Sequence, residues 1–405
     1  MDFESVNTLN VRFNLLAGNL LPMTNYSSFS LFAKIYSVVT WLIELIFIIT
    51  VVVGCIYLPI EKTLEDGMTR FSEILDGIIF TFQTTFMVLQ ILSHKKLIHQ
   101  FIQKLNEMLH IADETMKNTV TATLQPVKYP IKYYWTTGIG STTFWNLIAF
   151  LLMFEKDLFY LDDYIIPIAI SKQPFSSTIF AIGTSFITIS AVLMVIKKVS
   201  VDLYMMHLIL MTTTQYKYIS VKLAKVCQIE KNDNKFKENY SHELNRKKEL
   251  EIRALCRHHR DVINIASLLK TLLSSNCTLM YVVSVFRLCL IGVVLASMSE
   301  TSFWTTFSMM TYGSGVTVQL YILCSCVQQL ADASTEVTDK AFNENWYLLP
   351  PTAKRIFLLT IIADNLECKI STNDKFNLSL PAFMSILNQS YSITLLFLKM
   401  KEKTG

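Results

Sequence analysis

Seven apolar stretches recur along this chain, each of a length that can cross a hydrocarbon core as a helix. They run about Ile35 to Leu58, Phe71 to Leu92, Ile131 to Phe154, Ser177 to Ile196, Leu272 to Met298, Phe303 to Cys326 and Ser379 to Met400. A helix rises about 1.5 Å per residue, so about 20 apolar residues cover a core about 30 Å thick. Inside lipid, backbone polar groups are satisfied only within a helix or a closed barrel. The spans therefore predict an all-α membrane protein with seven transmembrane helices. The composition agrees, since 52% of residues are hydrophobic and only 17% charged, too apolar for an ordinary soluble domain. Trp41, Trp135, Trp145 and Trp304, with Tyr57, Tyr133 and Tyr134, fall at or near span ends, as interfacial rings do.

Orientation follows from Lys and Arg. Alternate connecting segments carry 26 of them on one side and 7 on the other, which predicts a cytosolic N-terminus and an extracellular C-terminus. The opening MDFESVNTLNVRF has no basic region followed by a short apolar core, so the first span is expected to act as its own insertion signal. The resulting division gives a cytosolic segment over 1–34 and four spans, with the outer pocket half, over 35–196. Cytosolic helical extensions occupy 197–271 and 327–378, on either side of two spans over 272–326. A last span over 379–400 and an outer tail over 401–405 complete the chain.

The extensions carry apolar faces. Leu203, Met206, Leu210, Ile219, Leu223 and Val226 continue the fourth span at helical spacing, and Leu250, Leu255, Val262 and Ile265 lead into the fifth. Between them lies a polar break, EKNDNKFKENYSHELNRKK. The sixth span continues through Val327, Leu330 and Val337, and AKRIFLLTIIADNL forms a further helix too short to span. Such faces must be buried, so an anchor domain of packed helices is expected. The outer loop from Glu155 to Ser176 is aromatic and acidic and is expected to cover the outer mouth of the bundle.

The closing stretch, SLPAFMSILNQSYSITLLFLKM, is not uniformly apolar. Ser385, Asn388, Gln389, Ser392 and Lys399 share one helical face. Polar groups in hydrocarbon need water or a polar neighbour. Leu395 and Leu396 stand near the axis of that stripe, and a wet stripe closed by leucine suits a gate that blocks ions by dewetting. The other reading is a helix–helix seam joined by hydrogen bonds. Spacing leaves both open, and leaves Leu395 and Leu396 tied.

No catalytic constellation is present: the chain has no G-x-S-x-G, no H-E-x-x-H, no Walker loop and no Gly-rich dinucleotide turn. No cofactor and no nucleic-acid partner is expected. Cys324 and Cys326 lack His or carboxylate companions, so no metal site is expected there. His258 and His259 are adjacent and read as a solvated face. Glu44, Asp76 and Arg287 are charges inside spans whose partners the sequence does not name. A small-molecule pocket would be mostly apolar with a few polar anchors. The outer halves of spans two, three, four and six offer Leu75, Ile78 and Phe82; Phe144, Ile148 and Leu151; Phe180 and Thr184; and Phe307, Met310 and Thr311.

The last third resembles the insect odorant receptor family. The resemblance rests on NLSLPAFMSILNQSYSITLLFLKM, similar to that family's closing helix, and on LCSCVQQLADASTEVTDKAFNENWYLLPPTAKRIFLLTII, with its Trp-Tyr-x-Leu-Pro turn. Together these fall within about 80 residues, from Leu323 to Met400. The departure is Val327, where the family often has Gly. The resemblance implies an odour-binding subunit of a ligand-gated cation channel. It would form a heterotetramer with a shared co-receptor, embedded in lipid at the plasma membrane of an olfactory sensory neuron. It also implies a pore lined by the last helix, with the gate near Leu395 and with Ser392 and Asn388 below it. The loop between the fourth and fifth spans is much shorter than the co-receptor's, which implies a tuning subunit. The alternatives are a membrane transporter, which the lack of a visible repeat in the span pattern counts against, and a seven-span G-protein-coupled receptor, which would need the opposite orientation, a disulfide to the outer loop and an Asn-Pro-x-x-Tyr signature. This chain has no Asn-Pro dipeptide.

Overall fold

Two uninterrupted helices dominate the molecule: Ser177–Gln228 with 52 residues and Glu238–Ser297 with 60. Neither sequence contains a proline, so nothing removes a backbone donor along either length. At about 1.5 Å per residue they extend about 78 and 90 Å, far beyond a bilayer core of about 30 Å. More than half of each must therefore project out of the membrane. The second begins inside the expected polar break, because Glu238 to Lys248 is already helical. The computed structural model describes the chain apart from residues 24–28, 58–67, 111–112, 155, 165, 167–173, 229–237, 298–302, 344–353, 356–377 and 405. The short apolar helix expected near 353–366 falls almost wholly outside the described residues.

In chain order the helices are α1 (Phe3–Val6), α2 (Thr8–Ala17), α3 (Leu31–Tyr57), α4 (Met68–Ser93), α5 (Lys95–His110) and α6 (Glu114–Leu151). They continue with α7 (Ser177–Gln228), α8 (Glu238–Ser297), α9 (Phe303–Asn343) and α10 (Leu380–Thr404). The chain folds as an all-α, multi-pass membrane protein. Six of the described helices are long and apolar enough to cross a membrane. The six do not include α10, whose hydropathy is diluted by Asn388, Gln389 and three serines. It also runs on through residues 401–404, where a separate tail is expected from the sequence.

The bundle has two ends. At the hairpin end, β1 (Leu158–Phe159) pairs antiparallel with β2 (Phe175–Ser176), Phe159 opposite Phe175. At the basal end the overlong helices gather. Along the bundle α6, α7 and α9 pack on one another, α4 and α10 pack on α8, and α2 lies on α7.

The basal core explains why the projecting helices are stable. Leu203, Met206 and Leu210 of α7, Val262 and Ile265 of α8, and Val327 and Leu330 of α9 are all buried. Leu255 is half-buried and Leu250 stays exposed. α5 adds Ile98, Phe101, Ile102, Leu105 and Leu109, one apolar stripe at helical spacing. The N-terminal segment is folded into the same cluster through Phe3 and Phe13, with the Phe3 N–H donating to Asn106 Oδ1 at 2.9 Å. Gly18 closes α2 with φ of 65°, a left-handed cap that favours glycine. Its carbonyl accepts from Ser37 Oγ of α3 at 2.5 Å. The His pair is not a solvated face: His259 is buried edge-on to Tyr216, and His258 packs on Tyr218.

Candidate functional site

α10 is held to α8 by polar atoms on one face. Ser390 Oγ donates to the Val285 carbonyl at 3.1 Å, and Thr394 Oγ1 donates to the Cys289 carbonyl at 3.3 Å. Gln389 Nε2 donates to Tyr281 Oη at 3.3 Å. Ile386 is fully buried between them. The backbones come so close at Gly292 that a Cβ there would lie 2.8 Å from Thr394 Oγ1. Ser390 and Thr394 are the residues that sequence reasoning missed. Their signal was a second small-polar repeat at i, i+4, offset from the stripe already noticed.

The opposite face of α10 is uncovered. Asn388, Gln389, Ser392, Leu395, Leu396 and Lys399 are exposed, Leu396 to 60% and Leu395 to 39%. Ser385 is half-buried and accepts from Gln389 at 3.0 Å. Ser392 Oγ donates only to its own helix, at the Asn388 carbonyl. Apart from the Gln389 bond to Tyr281, the stripe bonds to no other helix among the described residues. The seam within the chain is therefore made by a different face. Leu395 and Leu396 remain a pair, both outward.

The three intramembrane charges acquire partners. Arg287 of α8 is 3% exposed and donates from Nε to Asp76 Oδ1 of α4 at 2.9 Å. Its Nη2 donates to Tyr312 Oη of α9, which in turn donates to Asp76 Oδ2 at 2.5 Å. The guanidinium also lies 5.0 Å from the Phe80 ring. Glu44 of α3 pairs with Lys197 of α7, whose ammonium sits 3.8 Å over the Trp41 ring; Thr85 donates to Glu44 at 2.7 Å. Next to it, Lys198 pairs with Asp202 at 2.6 Å, and Asp202 accepts from Tyr134 and Gln319. Buried charges of this kind persist only when paired and hydrogen-bonded. No group of His, Cys, Asp and Glu arranged to hold a metal occurs among the described residues.

The expected pocket residues divide into three sets. Phe180 and Thr184 are fully enclosed. Phe180 stacks on Phe159 of the hairpin at 4.1 Å and leans on Tyr164 at 4.8 Å, with Phe47 and Phe175 in the same cluster. Thr184 Oγ1 is buried without a hydrogen-bond partner among the described residues. Leu75, Phe144, Ile148 and Thr311 are half-buried, and Phe144 meets Trp304 at 6.0 Å. Ile78, Phe82, Leu151, Phe307 and Met310 stand on the outer surface of the single chain. On α4, Ile78 and Phe82 belong to an exposed stripe (Phe71, Ile78, Phe82, Phe86, Leu89) that recurs every one or two turns. Periodicity cannot separate lipid-facing from core-facing residues when both are apolar.

The profile of the family described as "7tm Odorant receptor" matches residues 68–391. Odorant receptor 67a of Drosophila melanogaster is 24% identical over 140 residues, which cover 35% of this chain and 34% of that protein's length. The insect olfactory receptor OR5 from Machilis hrabei superposes with a TM-score of 0.75 at 12% identity, over 99% of this chain and 100% of that one. The structure of the same receptor in complex with eugenol gives the same score. At that identity the likeness speaks for the fold.

Proposed function

The chain belongs to the 7tm odorant receptor family, and from that premise we propose that it is the odour-binding subunit of a ligand-gated cation channel. That family comprises receptors, not enzymes. In this reading the N-terminus is cytosolic, the hairpin end faces outward, and α10 is the seventh span. The basal helices form an anchor that joins this subunit to a co-receptor in a heterotetramer at the plasma membrane of an olfactory neuron.

The uncovered face of α10 carries the proposal. Its helix already spends Ile386, Ser390 and Thr394 on α8, yet Asn388 and Ser392 remain exposed at span depth. In hydrocarbon that arrangement is costly. Four such faces around an axis would instead meet water, and Leu395 or Leu396 would close the passage by dewetting. The eugenol complex of the related receptor supports a small volatile as ligand here. In this reading the enclosed Phe180 and Thr184, together with the half-buried Leu75, Phe144, Ile148 and Thr311, supply the apolar walls and hydroxyl anchors that suit such a molecule. Ile78, Phe82, Leu151, Phe307 and Met310 then face lipid or a neighbouring subunit. A ligand opens the channel only by binding the open arrangement better than the closed one.

The test is Leu395→Ser, and separately Leu396→Ser, co-expressed with a co-receptor. One of the two should raise the unstimulated current at unchanged surface amount, and which one does so breaks the tie. Wild-type leak in both at full surface expression would refute the gate.

A further inference from the structure

We infer that Arg287 is a positioning residue for gating: with Asp76 and Tyr312 it ties the pocket-bordering helices α4 and α9 to α8, the helix that carries α10. The inference rests on the channel reading above and adds the element that transmits the signal.

The geometry supplies each link. α4 and α9 each pack on α8 but not comparably on each other, so the closed triangle of Asp76, Arg287 and Tyr312 links α4 to α9 through α8 at this level. Asp76 follows Leu75, and Tyr312 follows Thr311, both half-buried on the border of the proposed pocket. On α8, Arg287 sits midway between Val285 and Cys289, the two carbonyls that α10 grips through Ser390 and Thr394. Gly292, where the two backbones nearly touch, lies five residues further on. A displacement of α4 or α9 by a ligand must therefore stretch or relax the bonds to Arg287. The same stretch of α8 holds the closing helix.

A charge-assisted network suits this task because it has discrete arrangements. The guanidinium is too costly to leave unpaired in the membrane, so it moves with its partners rather than letting go of them. The Glu44–Lys197 pair offers an internal contrast. It is as deeply buried and also reaches α4 through Thr85, yet its hydrogen bonds and ion pair join α3, α4 and α7 and include none to α8 or α10 among the described residues.

The experiment records single-channel open probability without ligand, alongside surface amount, for Tyr312→Phe, Asp76→Asn, Glu44→Gln and Leu395→Ser, each with the co-receptor. Tyr312→Phe removes one hydroxyl and keeps the ring, so it preserves the packing. Tyr312→Phe and Asp76→Asn are expected to shift open probability about fivefold or more, while Glu44→Gln changes only the number of channels at the surface. A purely structural role would change that number and leave open probability alone. Wild-type open probability in Tyr312→Phe overturns the inference, as does an equal shift in Glu44→Gln. If Leu395→Ser opens the channel while Tyr312→Phe does nothing, only the coupling role falls. If Leu395→Ser is also silent, the channel reading falls with it.

Discussion

Arg287 and Asp76 are 211 residues apart in sequence and are joined by a hydrogen bond of 2.9 Å inside the membrane span. The pair converts two isolated charges into one neutral unit, completed by the Tyr312 hydroxyl. Removing one member strands the other. Arg287→Leu should therefore cost about 3–5 kcal/mol, and Asp76→Leu together with Arg287→Leu should recover most of it. Melting of the detergent-solubilised receptor measures this; a double variant no more stable than Arg287→Leu would contradict it.

Gly292 is required by space, not by backbone strain. A Cβ there would meet Thr394 Oγ1 at 2.8 Å and Cγ2 at 3.1 Å, so Gly292→Ala should cost about 1–3 kcal/mol through overpacking. Thr394→Ala removes both atoms and should relieve most of that cost. Melting of the single and double variants decides it, with equal loss in both as the contrary result.

Phe180 anchors the hairpin to α7. Phe180→Ala removes its stack on Phe159 and its contact with Tyr164, a loss of about 3–5 kcal/mol for a buried aromatic. The hairpin should become a preferred site of proteolysis on intact cells. Unchanged resistance of residues 156–176 would show that other contacts hold the hairpin.

At the basal end, Asp113 caps α6 by accepting from the Met116 N–H at 3.1 Å and bridges to Lys222. Partial burial pushes its carboxyl up, but the Lys222 hydrogen bond, the Met116 N–H and the charges of Lys222 and Lys225 outweigh this and hold it below the ordinary range. A depressed carboxylate contributes stability above its unfolded pKa of about 4, and the contribution disappears as pH falls through the folded value. Asp113→Ala should lose about 1 kcal/mol at neutral pH and little in acid. A deficit independent of pH would contradict the charged cap.

The sequence made the fold class readable because membrane helices announce themselves by length and apolarity. Two things stayed hidden. The first was which side of a span faces protein: Phe82 and Phe180 look alike in sequence, yet one is on the surface and the other enclosed. In lipid both positions are apolar, so the amphipathic signal that orients a soluble helix is missing. The second was pairing at a distance. Glu44, Asp76 and Arg287 stood out as costly, but periodicity identifies a face and not the helix opposite it. For the same reason the polar stripe of α10 was visible, while the grip of Ser390 and Thr394 on α8 was not. The basal helices were legible from Leu203 to Val226, but the N-terminal helices, whose buried face includes Asn10 and Asn14, carry too little apolar pattern to be seen.

The most direct test of the central claim is thiol modification along α10 in channels assembled with the co-receptor. Ser392→Cys and Thr394→Cys are each exposed to a charged, membrane-impermeant thiol reagent while the channel is active, with the unsubstituted channel as reference. The account predicts that current through Ser392→Cys channels changes irreversibly while Thr394→Cys, turned to α8, is unaffected. Modification at Thr394→Cys with none at Ser392→Cys would contradict it, since the pore would then lie on the other face of the helix.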